Sequence, residues 1–398
     1  MISNDEDLKI REELVGLHAA INPFIAHSSS PRGLMSSGHI SQIVTIEHGE
    51  AQIIQTGLET QFAENTFSCR LEADSRIVAV LRRYNGVSAN TVTETAEYTV
   101  IAQDVTTGEL DVIPIPRFHK LHQQFGFEYK VNEDILNAGI VNTILPKGTI
   151  LADSPTVSKD KEYRFGVPVN LAYLHVPEVT GDGVILSDKL AKKFEFNTYE
   201  TIVAEFGEKT FPLNLHGDGD NYKIIPDIGE MVPDDRVVMA TREYDPELAP
   251  ALLSREAVKN YSVNFDKPFY AKSTGGEIVD IKVYSNSKAR KSTYTETTDQ
   301  VTRYDEALIR HYKDILTVYE EQNKVHYAKH RESVPVTPAM QRLLLDAYAA
   351  TECSRNVRYT NTNDVVDLYR VEITIGYRKI PDLLGYKVTT LHGIWGVN

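Results

Sequence analysis

Two separated patches hold the residues best suited to chemistry. Residues 376–398 carry Arg378 and Lys379 at the end of a strand pattern, then Gly385, Lys387 and a His392-Gly393 step. Lysine offers a flexible point charge for phosphate oxygens, and glycine lets the backbone approach a ligand closely. The other patch, Glu178 to Asp188, places Asp182 between Gly181 and Gly183 ahead of an apolar run. A carboxylate on such a turn can approach a hard cation without bulky neighbours. Taken singly each patch is ordinary, because Asp-Gly turns are common and basic residues between strands usually face solvent.

Other candidates carry less. Gly217–Asn221 has the acidic, glycine-rich look of a metal loop but lacks the ligand spacing of a calcium site. His326 and His330 lie one helical turn apart, yet Tyr327 stands where a zinc-protease helix has its acid. His119 and His122 have no Cys or carboxylate companion nearby in sequence. Neither a phosphate loop, a strand-linked GxGxxG nor a serine nucleophile elbow occurs, so an autonomous nucleotide-driven enzyme or hydrolase gains little support.

Bulk properties bound the rest. At 398 residues the chain has room for two or three domains and a substantial core. No stretch approaches the roughly 20 apolar residues of a membrane span, and the acidic N-terminus is unlike a targeting signal. A cytoplasmic protein without a membrane partner is expected. Cys69 and Cys353 are too few and too distant for a zinc module or a disulfide framework. The net charge of −14 argues against an autonomous nucleic-acid binder, but leaves room for one basic face in a larger assembly.

The elements that must position these residues are mainly β. Residues 5–20 read as a short acidic helix, Ala26–Gly33 as a tight polar loop, and Leu34–Gly38 as a helical turn. Strands are expected at Ile43–Ile46, Ala51–Gln55, Ile77–Leu81, Thr91–Val100, Leu110–Ile115, Gly148–Asp153 and Val169–Val176. Asn85-Gly86 is a hairpin signal. Ser187 precedes a short helix, Asp188–Phe194, and residues 198–285 return to β. Apolar residues at Ala307, Leu308, Tyr312, Ile315, Leu316 and Tyr319 give helical spacing over Tyr304–His330. Thr337-Pro338, an N-cap followed by proline at N1, opens a second helix through Ala349. Alternation of Tyr369, Val371, Ile373 and Ile375 predicts the strand that delivers Arg378 and Lys379.

Read in order, these segments resemble the middle-to-late part of the β subunit of multisubunit DNA-dependent RNA polymerases. Ile21–His27, then Arg32–Met35 and Gln42, resemble the family's stretch near the downstream fork. Gln55–Glu59 is similar to its GTGME motif, Lys147–Pro155 to its LADGP motif, and Gly181–Asp188 to its EDSILVSE motif. Ile225–Glu230 resembles IPNVGE at the wall and flap, and Gly276–Val283 resembles GTVIDVQV. Arg378–Ile380 with Gly385–Gly393 resembles the family's RRIQPGDKMAGRHG run. The individual matches are short, but their collinearity covers nearly the whole chain.

The resemblance implies an α+β, β-rich fold: part of a double-psi β-barrel, with wall and flap β modules and an inserted helical hairpin. It divides the chain into a fork and β-rich lobe region (1–165), a first barrel part (166–200), and a wall and flap region (201–300). A helical flap insertion (301–360) and a second barrel part with the catalytic-site strand (361–398) follow. It implies a nucleotidyltransferase subunit, inactive alone, whose active-centre residues are Lys387, Asp182 and His392. Arg32 and Gln42 then belong to the downstream fork, and Arg378 and Lys379 to the nucleic-acid path. Mg2+ is held mainly by a β′-like partner, with Asp182 as a second-metal contact. The implied partners are other β-like and β′-like polymerase chains, DNA template, RNA product, nucleoside triphosphates and a promoter-specificity factor.

The chain also departs from the pattern. Gly181 stands where the family has Glu, Thr60 where it has Arg, and Trp395 where it has a second lysine. The stop soon after His392-Gly393 suggests completion by another polypeptide, as in the split β of giant-bacteriophage polymerases. That implies the cytoplasm of an infected bacterial host, or the virion, as location. A phage virion structural or assembly protein is the alternative, given 21 Tyr and acidic charge on a strand-rich chain. A free-standing metal hydrolase using Asp218 and Asp220 ranks behind both.

Overall fold

β-branched and aromatic residues in alternation organise the chain around sheets, with helices packed against them. The computed structural model describes residues 16–88, 91–136, 138–179, 181, 183–218, 221–245, 247, 254–286, 298–352, 367–379, 385–393 and 395–397. Helices α1 (Leu17–Ala20), α2 (Ser30–Ser41) and α3 (Glu59–Thr66) come first. Strands β1 (Ser68–Arg70), β2 (Ser75–Ser88), β3 (Thr91–Asp104), β4 (Leu110–Ile115), β5 (Phe118–His122), β6 (Phe125–Glu128) and β7 (Lys130–Val131) follow. After α4 (Glu133–Leu136) come β8 (Ile144–Leu145), β9 (Ile150–Asp153), α5 (Asp188–Lys193) and β10 (Phe196–Phe206). Then β11 (Thr210–Pro212), β12 (Val237–Glu243), β13 (Asp266–Tyr270) and β14 (Glu277–Ser285) lead to α6 (Asp299–His330) and α7 (Pro338–Glu352). Strands β15 (Tyr369–Lys379), β16 (Lys387–Thr389) and β17 (Trp395–Val397) complete the series.

The central sheet has the order β14-β15-β10-β6-β5, with antiparallel pairing throughout. One face of β15 presents Val371, Ile373 and Ile375, each 0% exposed. They pack with Ile281 and Val283 of β14, Phe206 of β10, Val238 and Met239 of β12, and Val301 and Tyr304 of α6. Full burial of such a side chain contributes about 1.5–3 kcal/mol, so this cluster is a principal source of stability.

A second sheet, β4-β3-β2-β8, supports the expected helical hairpin. Ile315 and Leu316 of α6 and Met340 and Leu344 of α7 pack on Val78, Ile101 and Val112. The predicted N-cap forms: Thr337 Oγ1 accepts from the Met340 N–H at 3.2 Å and donates to Asp111 at 2.6 Å, which pins α7 to β4. Arg83 of β2, 4% exposed, pairs with Asp280 of β14 and with Glu97 of β3 at 3.2 Å. This buried pair joins the two sheets, and removing one partner strands the other charge.

Several expected elements differ. Val169–Val176 is not a strand: residues 167–176 run without turn, bend or ladder, and Val169, Leu171, Tyr173 and Leu174 are 53–83% exposed. Residues 167–175 make no hydrogen bond with any other described residue. Ile43–Ile46 and Ala51–Gln55 also lack strand partners, apart from an isolated bridge between Glu50 and Gly166. Asn85-Gly86 lies inside β2, where the register with β3 shifts between Tyr84 and Val87, so the dipeptide marks a bulge and not the turn. The expected loop Ala26–Gly33 becomes a short 3-10 turn, Ile25–His27, and the start of α2, because proline fits a helix's first turn. Of the expected helix at 5–20, residues 5–15 lie outside the described residues and Leu17–Ala20 is helical. Phe194 caps α5 and is not part of it, and Ser187 Oγ accepts from the Leu190 N–H at 3.3 Å as the N-cap.

Two measurements test this core. Ile373→Ala opens a cavity in the central sheet and lowers unfolding free energy by about 2–5 kcal/mol in urea titration. His311 of α6 is the pH-sensitive group: burial, then the adjacent Arg83 charge, holds it down to about 4. Its ordinary value is about 6.5, so the unfolded chain takes a proton that the native state refuses. Stability therefore falls as pH drops from about 6.5 towards 4, and His311→Gln flattens that part of the stability–pH curve.

Candidate anion-binding site

The C-terminal hairpin is seated on the first helices. β16 and β17 pair only with each other in the described ladders, Lys387 opposite Val397 and Thr389 opposite Trp395. A two-stranded hairpin alone is marginal in water, so its position depends on what holds the connecting turn. Leu391 supplies the apolar anchor, packing beside Ile21, Ile40, Phe67 and Tyr163.

Asn22 supplies the polar anchor. It is 0% exposed, and its Nδ2 donates to the Leu391 carbonyl at 2.7 Å and to Ser36 Oγ, while its Oδ1 accepts the Phe24 N–H at 2.9 Å. A buried amide with donors and acceptor engaged fixes geometry at little net cost, whereas losing one partner costs about 1–3 kcal/mol. Gly393 completes the seat. Its φ is +76°, and a Cβ there would lie 2.5 Å from the Arg32 carbonyl oxygen, so any side chain is excluded on both counts.

This seat gathers four cationic or titratable side chains. Arg32, in the first turn of α2, donates to the Gly393 carbonyl at 3.1 Å and reaches Met35 Sδ at 3.8 Å. The exposed His392 ring lies 4.4 Å from that of Phe24. Thr389 Oγ1 is 2.9 Å from His39 Nδ1, and exposed Lys387 opens the same strand. Burial, then the charge of Lys387, holds His39 below the usual imidazole value. The partners of the Arg32 guanidinium are thus a carbonyl oxygen and a thioether, which leave its charge in place. Basic side chains gathered on one face favour an anion there.

The other expected site residues sit elsewhere. Arg378, opposite Asn197 on β10, is committed to Glu195, which also lies 3.4 Å from His48. The guanidinium hydrogen bond holds the Glu195 carboxyl below the usual carboxylate range, so this cation is neutralised within the chain. Lys379 Nζ lies 5.7 Å from the centre of the Tyr377 ring. Gln42 is exposed just after α2, its N–H donating to the His39 carbonyl at 3.1 Å. Asp182 lies outside the described residues. Among the described residues no group of three or more His, Cys, Asp or Glu could hold a metal ion.

The weaker sequence candidates have structural partners. Asp218 accepts the Asn221 N–H at 2.8 Å within a turn, and Asp220 lies outside the described residues. The His326 and His330 rings lie 4.5 Å apart, and the His119 ring packs 5.5 Å from that of Phe127. Sequence reading missed Asn22 and His39. A signal existed for His39: it follows Arg32 by seven residues, two helical turns, which places both on one face of α2.

No protein-family model matches the chain. It is 25% identical over 348 residues to the DNA-directed RNA polymerase subunit beta of Chlamydia muridarum, covering 81% of this chain. It is 24% identical over 353 residues to the same subunit of Lawsonia intracellularis, covering 82% of this chain. The chain is a relative of RNA polymerase β subunits. It spans about a quarter of the length of the curated relatives it matches, 25% and 23% for these two. Among the described residues no helix is long and apolar enough to cross a membrane.

The seat is testable apart from any activity. Gly393→Ala forces strain and a backbone clash, and is expected to raise amide exchange across 387–397 at least tenfold. Protection of β10 and β15 should stay unchanged; equal loss in β10, β15 and the hairpin would show that the hairpin is not an independent seat.

Proposed function

We propose that this chain is the middle-to-late β portion of a DNA-dependent RNA polymerase and forms one wall of its active-centre cleft. The observation that carries this reading is the seating of the hairpin and turn that bear Lys387 and His392 on the helix that bears Arg32, distant in sequence. Template-directed nucleotidyl transfer is positioning plus neutralisation of phosphate charge, and a preorganised cation cluster does both. Lys387 holds a phosphate of the RNA 3′ end, Arg32 faces the incoming nucleoside triphosphate and downstream fork, and His392, fixed against Phe24, shapes the wall between them. Lys379 and Gln42 extend the nucleic-acid path, and Arg378 supports that edge through Glu195.

A β′-like partner, carrying the principal Mg2+ ligands, completes the centre, and Asp182 would be this chain's contact to a second metal ion. Magnesium, when bound, supplies Lewis-acid neutralisation of the triphosphate. The reading includes a double-psi barrel whose remaining strands come from a companion chain. Exposed Val169, Leu171, Tyr173 and Leu174 support this, because an apolar run of this kind marks an interaction surface. Template DNA, RNA product and a promoter-specificity factor are the further partners. A phage-encoded split β, working in the host cytoplasm or packaged in the virion, fits this division of labour.

The test is reconstitution. The isolated chain is expected to synthesise no RNA; with its companion chains it should copurify with a subunit bearing an aspartate-rich metal loop and support synthesis. In that complex Lys387→Gln should slow elongation by about 10²-fold, the scale of losing one preorganised charge donor. RNA synthesis by the isolated chain, or self-association into shells without a polymerase partner, refutes the proposal.

A further inference from the structure

Helix α6 ends in a pair of imidazoles that the polymerase reading leaves unused. His326 and His330 lie one helical turn apart on one face, with ring centres 4.5 Å apart and planes inclined by 28°. Tyr327 takes the place of the acid that a zinc-protease helix needs, so the pair lacks that motif's general base. What it does have is a defined tautomer. His326 Nδ1 lies 3.0 Å from the Glu332 carbonyl oxygen. A carbonyl only accepts, so the proton is on Nδ1, and the neutral ring carries its lone pair on Nε2. Metal-bound histidines share this arrangement: their other ring nitrogen donates to a carbonyl, a carboxylate or water.

The fold holds that carbonyl in place. Arg331 reverses the chain at φ +63°, its N–H donating to the Tyr327 carbonyl at 2.9 Å. Beyond Glu332, buried Val334 donates its N–H to Asn323 Oδ1 at 3.0 Å. Residues 331–334 are therefore folded back along the end of α6, and Glu332 is pinned between two anchored neighbours. His330 is exposed, and its ring makes no hydrogen bond with any described residue, so it is free to turn a nitrogen towards an ion seated on His326. The flanking cations, Lys329 and Arg331, are both exposed, where solvent and salt screen them. The carbonyl end of the helix itself favours a positive ion.

We propose that His326 and His330 form a two-imidazole site for a divalent transition metal, Zn2+, Ni2+ or Cu2+, at the tip of the helical hairpin. Imidazole nitrogen suits these ions, whereas Mg2+ and Ca2+ require oxygen donors that the pair does not offer. No third His, Cys, Asp or Glu of the described residues joins the pair, so water completes the coordination. The ion ties together residues one turn apart and thereby clamps the end of α6 in helical form. The site stands on α6 and the turn after it, and is independent of the polymerase reading.

The test titrates the full chain, stripped of metal, with NiCl2, ZnCl2 and MgCl2 in a calorimeter. Ni2+ and Zn2+ should each bind with a single saturable site, and Mg2+ should not. His326→Ala and His330→Ala should each weaken Ni2+ and Zn2+ binding by about tenfold or more, the scale on which affinity responds even to loss of an outer-shell partner. A second readout is local: Zn2+ should slow amide exchange at 327–334 in the wild type and not in His330→Ala. The absence of saturation below about 1 mM, a binding energy of only about 4 kcal/mol, overturns the proposal. So does equal affinity in wild type and both variants, or exchange at 327–334 that metal leaves unchanged. Weakening by only one of the two substitutions overturns it as well, because the ligand is then a lone imidazole.

Discussion

Strand β15 is paired on both sides, with all 11 of its residues in register against β10 and most of them against β14. Two-sided pairing satisfies its backbone groups, so its apolar face can be buried completely without an unpaired donor or acceptor. Val371, Ile373 and Ile375 supply that face, and Gly376 lets β14 come close, since a Cβ there would lie 2.8 Å from Val279 Cγ1. The N-terminal segment that seats the hairpin is joined to this strand through β10. The far end of β15 delivers Arg378 and Lys379, and the wall it forms with β10 meets the N-terminal segment through the Glu47 N–H, which donates to the Glu195 carbonyl at 2.9 Å.

The basic residues near that end have different fates, and the difference is instructive. Arg378 projects where Glu195 is waiting, so its charge serves cohesion between β15 and the segment before β10. Arg32 meets a carbonyl dipole and a thioether, which orient the guanidinium without cancelling it. A guanidinium left uncancelled carries an electrostatic cost. The buried packing of Leu391 and the satisfied amide of Asn22 offset that cost. Stability is thus drawn from neutral contacts and made available to a charged surface.

Some of this was legible in the sequence for clear physical reasons. The two long helices carried a 3.6-residue apolar period and a Thr-Pro start, and both cues are local. Lys387 and His392 stood out by residue type, and Arg32 by motif. What escaped were properties that depend on a neighbour. Val169–Val176 alternates like a strand, but alternation states only that two faces differ; pairing needs an adjacent edge, and no described residue provides one. Asn85-Gly86 has turn chemistry, yet the bulge between Tyr84 and Val87 absorbs it within β2. Pro31 and Gly33 suggested a loop because their helix-breaking tendency was given more weight than proline's fitness for a first turn. The seat of the hairpin was invisible for the same reason: nothing near Asn22 in sequence announces Leu391.

The contact between Asn22 and the Leu391 carbonyl spans 369 residues. At a synthesis rate of roughly 5–20 residues per second, the ribosome needs on the order of 20–70 s to supply the second partner after making the first. Throughout that interval the amide side chain of Asn22 must remain hydrated, and the apolar pocket beside Ile21 and Ile40 lacks its Leu391. Helices α1 and α2 therefore emerge well before the turn that fixes their final arrangement. A chain interrupted shortly before Leu391 would hold every strand of the central sheet and still lack the corner where its cations meet.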